Sequence, residues 1–171
     1  MNILPLIKNF LFNNVPILIL YYLSFSTFEG LKDIKDIVVF SFNLQMIVVY
    51  FYVLRFPEYL GNGHIFLAGL FNDVVIGIPL GVSSLSYLVL SFCTSYIRNA
   101  TLRSRMSVEW ITFIPALFFS NLVYFVIINK FSHLSFYYIE LLRSTFFTFL
   151  FFPIFYYVFD FYQTKVLRNN A

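Results

Sequence analysis

The chain has 171 residues, 60% of them hydrophobic and 11% charged, with a net charge of +3 and a mean hydropathy of +0.82. Soluble domains carry roughly a quarter charged residues, so an ordinary water-soluble domain is excluded and an integral membrane protein is indicated. The apolar excess is aromatic, with 25 Phe and 13 Tyr, and the length suits one helical bundle without a second folded domain.

In chain order, six apolar spans are predicted. Lys8 leads into the first, about residues 10–28; no small-x-small cleavage site follows it, so it reads as a retained helix and not as a signal peptide. A charged loop, 29–36, precedes the second span, about 37–54, which Arg55, Pro57 and Glu58 close. Gly61-Asn62-Gly63-His64 opens the third, about 65–80. Pro79-Leu80-Gly81 carries no charge, so the third span and the fourth, about 82–97, form a tight helical hairpin. Ser84, Ser91 and Ser95 share one face of the fourth. The basic run 98–105 follows, then the fifth span, about 110–128, containing Pro115 and Asn121. Lys130 and His133 precede the sixth, about 136–159, which holds Arg143 and Pro153 and is followed by Asp160, Lys165 and Arg168. The runs are continuous and not alternating, which predicts an all-α, six-transmembrane-helix bundle and no β-barrel. Several fall short of the roughly 20 residues of a typical crossing, so tilt or local bilayer thinning is expected.

Alternation of the loops puts Lys8, Arg55, Arg98, Arg103, Arg105, Lys165 and Arg168 on one side. Lys32, Lys35 and Lys130 fall on the other, with Arg143 inside the last helix near it. The positive-inside rule makes the richer side cytoplasmic, with both termini there. The same rule accounts for the basic loop Arg98, Arg103 and Arg105; the sharper reading of that loop is docking to anionic headgroups or to a cytoplasmic partner.

The catalytic inventory is thin. His64 and His133 fall on opposite sides and cannot share a metal, and the lone Cys93 excludes an intramolecular disulfide and a cysteine cluster. There is no carboxylate pair, nucleophile elbow, Walker loop, His-Glu-x-x-His or Cys-x-x-Cys motif. The sequence predicts no enzyme, metal, cofactor or nucleic-acid surface.

One stretch organises the rest: Gly69-Leu70-Phe71-Asn72-Asp73-Val74-Val75-Ile76-Gly77-Ile78-Pro79-Leu80-Gly81. Gly69, Asp73 and Gly77 recur at i, i+4 and i+8, so one helix face is small, charged and small. An acid inside a bilayer costs at least about 2.5 kcal/mol, so Asp73 should face the bundle and have a partner. It serves either as a ligand, proton or partner-helix site, or as a buried packing residue bonded to Asn72 or a serine of the fourth span. Asp73 and Arg143 each lie about seven residues, roughly 10 Å, below the outer surface. An intramembrane ion pair between them is expected, the alternative being that Arg143 snorkels to the headgroups. Gly69 and Gly77 are expected to let the fourth helix approach through Ser84 and Ser91, with Pro79 and Gly81 making the turn.

This stretch resembles the hallmark of the rod shape-determining MreD family, close to G-L-x-x-D-x-x-x-G-x-P-L-G, with every fixed position filled. Motif-level similarity covers about residues 61–105; chain size, the basic loop, and Pro153 followed by Tyr156-Tyr157 add to it. The resemblance implies a non-catalytic subunit of the bacterial inner-membrane rod complex, supporting cell shape and lateral peptidoglycan synthesis. Its implied partners are MreC and, directly or indirectly, actin-like MreB and the wall polymerase and transpeptidase. The hairpin residues Gly69, Asp73, Gly77, Pro79 and Gly81 would form the packing and partner-recognition element. The family is also similar in fold to the substrate-binding S components of vitamin uptake transporters, so the second reading is a small-molecule uptake component with Asp73 in its ligand pocket. The Phe/Tyr richness departs from the Leu/Ala-rich composition of many relatives.

Overall fold

Residues 44–55 read Leu-Gln-Met-Ile-Val-Val-Tyr-Phe-Tyr-Val-Leu-Arg, apolar on every face, and a helix of that kind must be surrounded by protein or lipid. Protein surrounds it. The computed structural model describes residues 3–25, 42–100, 105–131 and 138–170, and the side chains of 14–25, 42–100, 105–130, 139 and 141–164. Six helices form, and no strand is present among the described residues: α1 (Ile3–Phe25), α2 (Leu44–Arg55), α3 (Asn62–Ile76), α4 (Val82–Ala100), α5 (Met106–Phe131) and α6 (Tyr138–Asn170). Every residue of α2 from Gln45 to Val53 is buried. α1, α4 and α6 pack around α2, while α3 lies between α1 and α4, and α5 between α4 and α6.

The core is aromatic because bulky rings fill the space between these helices. Tyr50 of α2 stacks against Phe113 of α5 at 4.5 Å, and Phe113 meets Phe152 of α6 at 4.7 Å. Phe51 meets Tyr156 and Phe159 at 5.6 and 5.4 Å. Offset and edge-on pairs of this kind add about 0.5–1.5 kcal/mol beyond the area they bury. The sixth helix has two faces: Phe152, Tyr156 and Phe159 line the core, while Ile154, Tyr157, Val158 and Phe161 face outward.

Among the described residues, two helices are long and apolar enough to cross a membrane: Met106–Lys130 of α5, with mean hydropathy 2.2, and Leu141–Thr164 of α6, with 1.4. α2 is apolar but has 12 residues, α3 has 15, and α4 has 19 diluted by hydroxyl side chains. The six expected spans are thus six helices of unequal reach, and the fold supports an all-helical bundle. The 29–36 loop, Arg103, His133 and the side chains of Lys8, Lys165 and Arg168 lie outside the described residues.

The described surface is strongly apolar, and polar groups sit within the aromatic core. Ser24, Gln45, Asn72, Asp73, Ser84, Glu109, Ser120 and Thr148 are among the buried polar groups, whereas large apolar side chains such as Phe71, Val74, Phe92, Phe118, Phe146 and Phe161 are exposed.

Candidate functional site

The α3–α4 hairpin is held by one carboxylate. Asp73 is 0% exposed, and its Oδ2 accepts from the Gly81 backbone N–H at 2.7 Å and its Oδ1 from that of Ser83 at 2.9 Å. These are N–H groups of the first turn of α4, which has no intrahelical partner for them. A carboxylate placed there also meets the positive end of the helix dipole, worth typically 0.3–1 kcal/mol and up to about 2 when partly buried. The Asp73 carbonyl meanwhile accepts from Gly77 N–H at 3.0 Å and Ile78 N–H at 3.1 Å. One residue therefore closes α3 with its backbone and opens α4 with its side chain.

The glycines of the motif have three different jobs. Gly69 is a contact: a Cβ added there would stand 2.4 Å from Ser84 Cα, 2.6 Å from Ser84 N and 2.9 Å from Ser84 Oγ. α3 and α4 touch backbone to backbone at this point, as small residues permit. Gly77 has φ +77° and nothing within 4 Å of an added Cβ. It is the left-handed cap of α3 and does not admit a neighbouring helix, which corrects the expectation from its i+8 spacing. Gly81, at φ +101°, reverses the chain after Pro79. Substitution of Gly77 should accordingly be insensitive to size. Both Gly77→Ala and Gly77→Leu are expected to lower stability by about 1–2 kcal/mol, the cost of a left-handed Cβ. Thermal unfolding in detergent checks this, and a much larger loss for leucine would mean that a helix does pack there.

A chain of buried amides and hydroxyls ties the hairpin to the rest of that end. Asn72 Nδ2 donates to Ser83 Oγ at 3.0 Å, Gln45 Nε2 donates to Asn72 Oδ1 at 3.2 Å and approaches Ser24 Oγ at 3.4 Å, and Tyr87 OH donates to Gln45 Oε1. α1, α2, α3 and α4 are thereby linked, and Ser86 and Ser120 join α4 to α5 at 2.8 Å. Buried polar groups satisfied this way specify one helix register. Near the turn, Ile78 and Val82 also pack against Ile128 of α5.

The ion pair expected between Asp73 and Arg143 is not among those of the described residues, which join Arg55 to Glu109 and to Asp160. The reason is geometric. Backbone N–H groups occupy both Asp73 oxygens, and α6, which carries Arg143, packs on α5 and α2.

The site that residue-by-residue reading missed lies at the other end of α2. Arg55 Nε reaches Glu109 Oε1 and Oε2 at 3.1 and 3.2 Å, and its Nη2 reaches Oε1 at 3.0 Å. Nη1 bonds Asp160 Oδ1 at 3.1 Å, Nη2 bonds Tyr156 OH, and the guanidinium carbon lies 4.9 Å from the Tyr156 ring centroid. The Glu109 side chain is 4% exposed and that of Asp160 41%. Nearby, Arg98 Nη1 donates to Val53 O at 2.8 Å, satisfying a terminal carbonyl of α2; Arg105 is exposed. The available clue was topological: Arg55, Glu109 and Asp160 each flank a span on the side to which alternation assigns all three.

His64 lines an open groove of about 410 Å³ with Asn14, Ile17, Glu58, Tyr59 and Gly61. Among the described residues no group of three His, Cys, Asp or Glu is placed to hold a metal ion. What the arrangement around Asp73 does chemically is hold helices: each carboxylate oxygen accepts a backbone N–H at the start of α4. No protein family, no curated protein and no solved structure matches the chain.

Proposed function

We propose that this chain is an integral membrane scaffold whose six helices form one bilayer-embedded bundle, with the hairpin turn outside and both termini in the cytoplasm. The observation that carries the membrane reading is the apolar exterior, with large apolar side chains outside and polar groups kept within the bundle, which suits hydrocarbon as solvent. The length and hydropathy of α5 and α6 support it. Short α2 is compatible with it because protein covers that helix. The rod-complex role, as a non-catalytic partner of MreC in cell-shape maintenance and lateral wall synthesis, rests on the 69–81 motif and its resemblance to the MreD hallmark.

Within this reading Asp73, Gly69, Gly77, Pro79 and Gly81 build the hairpin, and its outward residues Phe71, Val74 and Leu80 offer the surface a partner would touch. The uptake-component reading needs Asp73 in a ligand pocket, whereas the two backbone N–H bonds to its oxygens support a packing role. Detergent co-purification with tagged MreC tests the proposal. Wild type should be recovered with MreC, while Val74→Trp, which alters only an exposed position, should lower recovery at equal membrane level. Absence of a complex when both proteins are folded would overturn the scaffold role.

A further inference from the structure

Pro153 lies inside α6 and deprives one carbonyl of that helix of its donor. A proline has no N–H, so the Phe149 carbonyl, four residues earlier, cannot receive the usual α-helical bond. Among apolar side chains such a carbonyl needs another partner. Trp110 of α5 supplies one. Its Nε1 donates to Phe149 O at 3.0 Å, and its indole stacks on the Phe149 ring at 5.2 Å with 19° between the planes. A tryptophan near a span end commonly keeps its polar edge at the membrane interface; this one turns its N–H to a neighbouring backbone.

The two halves of α6 are held by different contacts. Before Pro153, Thr145 Oγ1 accepts from Asn121 Nδ2 of α5 at 2.8 Å, and Thr148 Oγ1 accepts from the Asn43 backbone N–H at 2.8 Å. Beyond it, Tyr156 and Phe159 lie against Phe51 of α2, and Asp160 Oδ1 accepts from Arg55. The Asp160 side chain is 41% exposed, so water competes for that clasp. The half beyond Pro153 is therefore an arm joined to a fixed half where one rung of the backbone ladder is missing, and sharp helix kinks occur at such points. We propose that α6 is hinged at Pro153 and that Trp110 is the positioning residue that keeps the hinge shut, holding the arm against Phe51 and Arg55. Opening at this joint uncovers the Arg55 end of α2. The inference needs no partner and is independent of the rod-complex role.

The test is a rescue, made on the full chain in nanodiscs in a Cys93→Ser background. Spin labels at Tyr96→Cys of α4 and Thr164→Cys of α6, both exposed positions, report the arm by pulsed electron spin resonance. Labels at Val74→Cys and Tyr96→Cys, within the α3–α4 pair, are the reference. With Trp110 present, the Tyr96–Thr164 pair should give a single narrow distance distribution. Trp110→Phe keeps a ring to stack but has no N–H, and should add a second, longer population. Thr164 lies 11 residues, about 16 Å, beyond Pro153, so a further bend of about 20° displaces it by roughly 6 Å. Pro153→Ala returns a donor to Phe149 within α6, and combined with Trp110→Phe it should restore the single distribution. An unchanged distribution in Trp110→Phe, or a double variant that keeps the second population, would overturn the inference. So would an equal displacement of the Val74–Tyr96 pair, because the indole would then support the whole bundle and not the hinge.

Discussion

Gly69→Leu is expected to destabilise the bundle by at least about 3 kcal/mol, the upper part of the usual range for overpacking. The magnitude follows from what the new side chain would meet. Its Cβ alone would lie 2.4 Å from Ser84 Cα and 2.6 Å from Ser84 N. Those are backbone atoms, so no rotamer change relieves the clash and α3 must move away from α4. That movement would stretch the Gly81 and Ser83 N–H bonds to Asp73 and expose polar groups buried between the helices. Gly63→Ala is the control. Its added Cβ meets nothing within 4 Å, and alanine in place of a helical glycine should leave stability unchanged or raise it by roughly 0.5–1 kcal/mol. Chemical denaturation in detergent compares the two, and similar midpoints would mean that α3 and α4 are not in backbone contact.

The second large effect belongs to Arg55. Arg55→Met removes the guanidinium that makes three contacts with the nearly buried Glu109 carboxylate and one with Asp160. Breaking a buried pair from one side costs about 3–5 kcal/mol. The lower end is expected here, because the Arg55 side chain keeps 24% of its exposure. Arg55→Lys should rescue little, since an ammonium cannot reproduce the planar fork that engages two carboxylates. The double variant Arg55→Met with Glu109→Leu should lose clearly less than the sum of the single losses, by roughly 1 kcal/mol or more. Additive losses would show that the contacts at this end carry no coupling.

Local features of the hairpin were readable from the chain, and long-range ones were not. Gly69, Asp73, Pro79 and Gly81 lie within 13 residues, so helical spacing and turn chemistry place them together before any tertiary information is needed. The same spacing misassigned Gly77, because a left-handed cap is a property of the backbone and i, i+4, i+8 periodicity assumes that the helix continues. The side chains expected to meet Asp73 are the Arg143 cation or, alternatively, Asn72 or a serine of the fourth span. The groups it binds are backbone N–H donors, which every non-proline residue carries and which therefore leave no trace in composition. Arg55, Glu109 and Asp160 are separated by 54 and 51 positions, so their meeting depends on which helix ends the bundle brings together. Which aromatic face of α6 is buried is not legible in the sequence, because both faces are rich in Phe and Tyr and leave little amphipathic contrast.

The arrangement with a bilayer around it makes one demand that labelling can meet directly. In a Cys93→Ser background, Leu80→Cys places a thiol on the hairpin turn, where Leu80 is 68% exposed. Arg105→Cys places one at the opposite end, beside Met106 at the start of α5. A membrane-impermeant maleimide added to intact spheroplasts should modify the first and reach the second only after permeabilisation. Modification of both from the same side without permeabilisation would contradict the bilayer-spanning bundle.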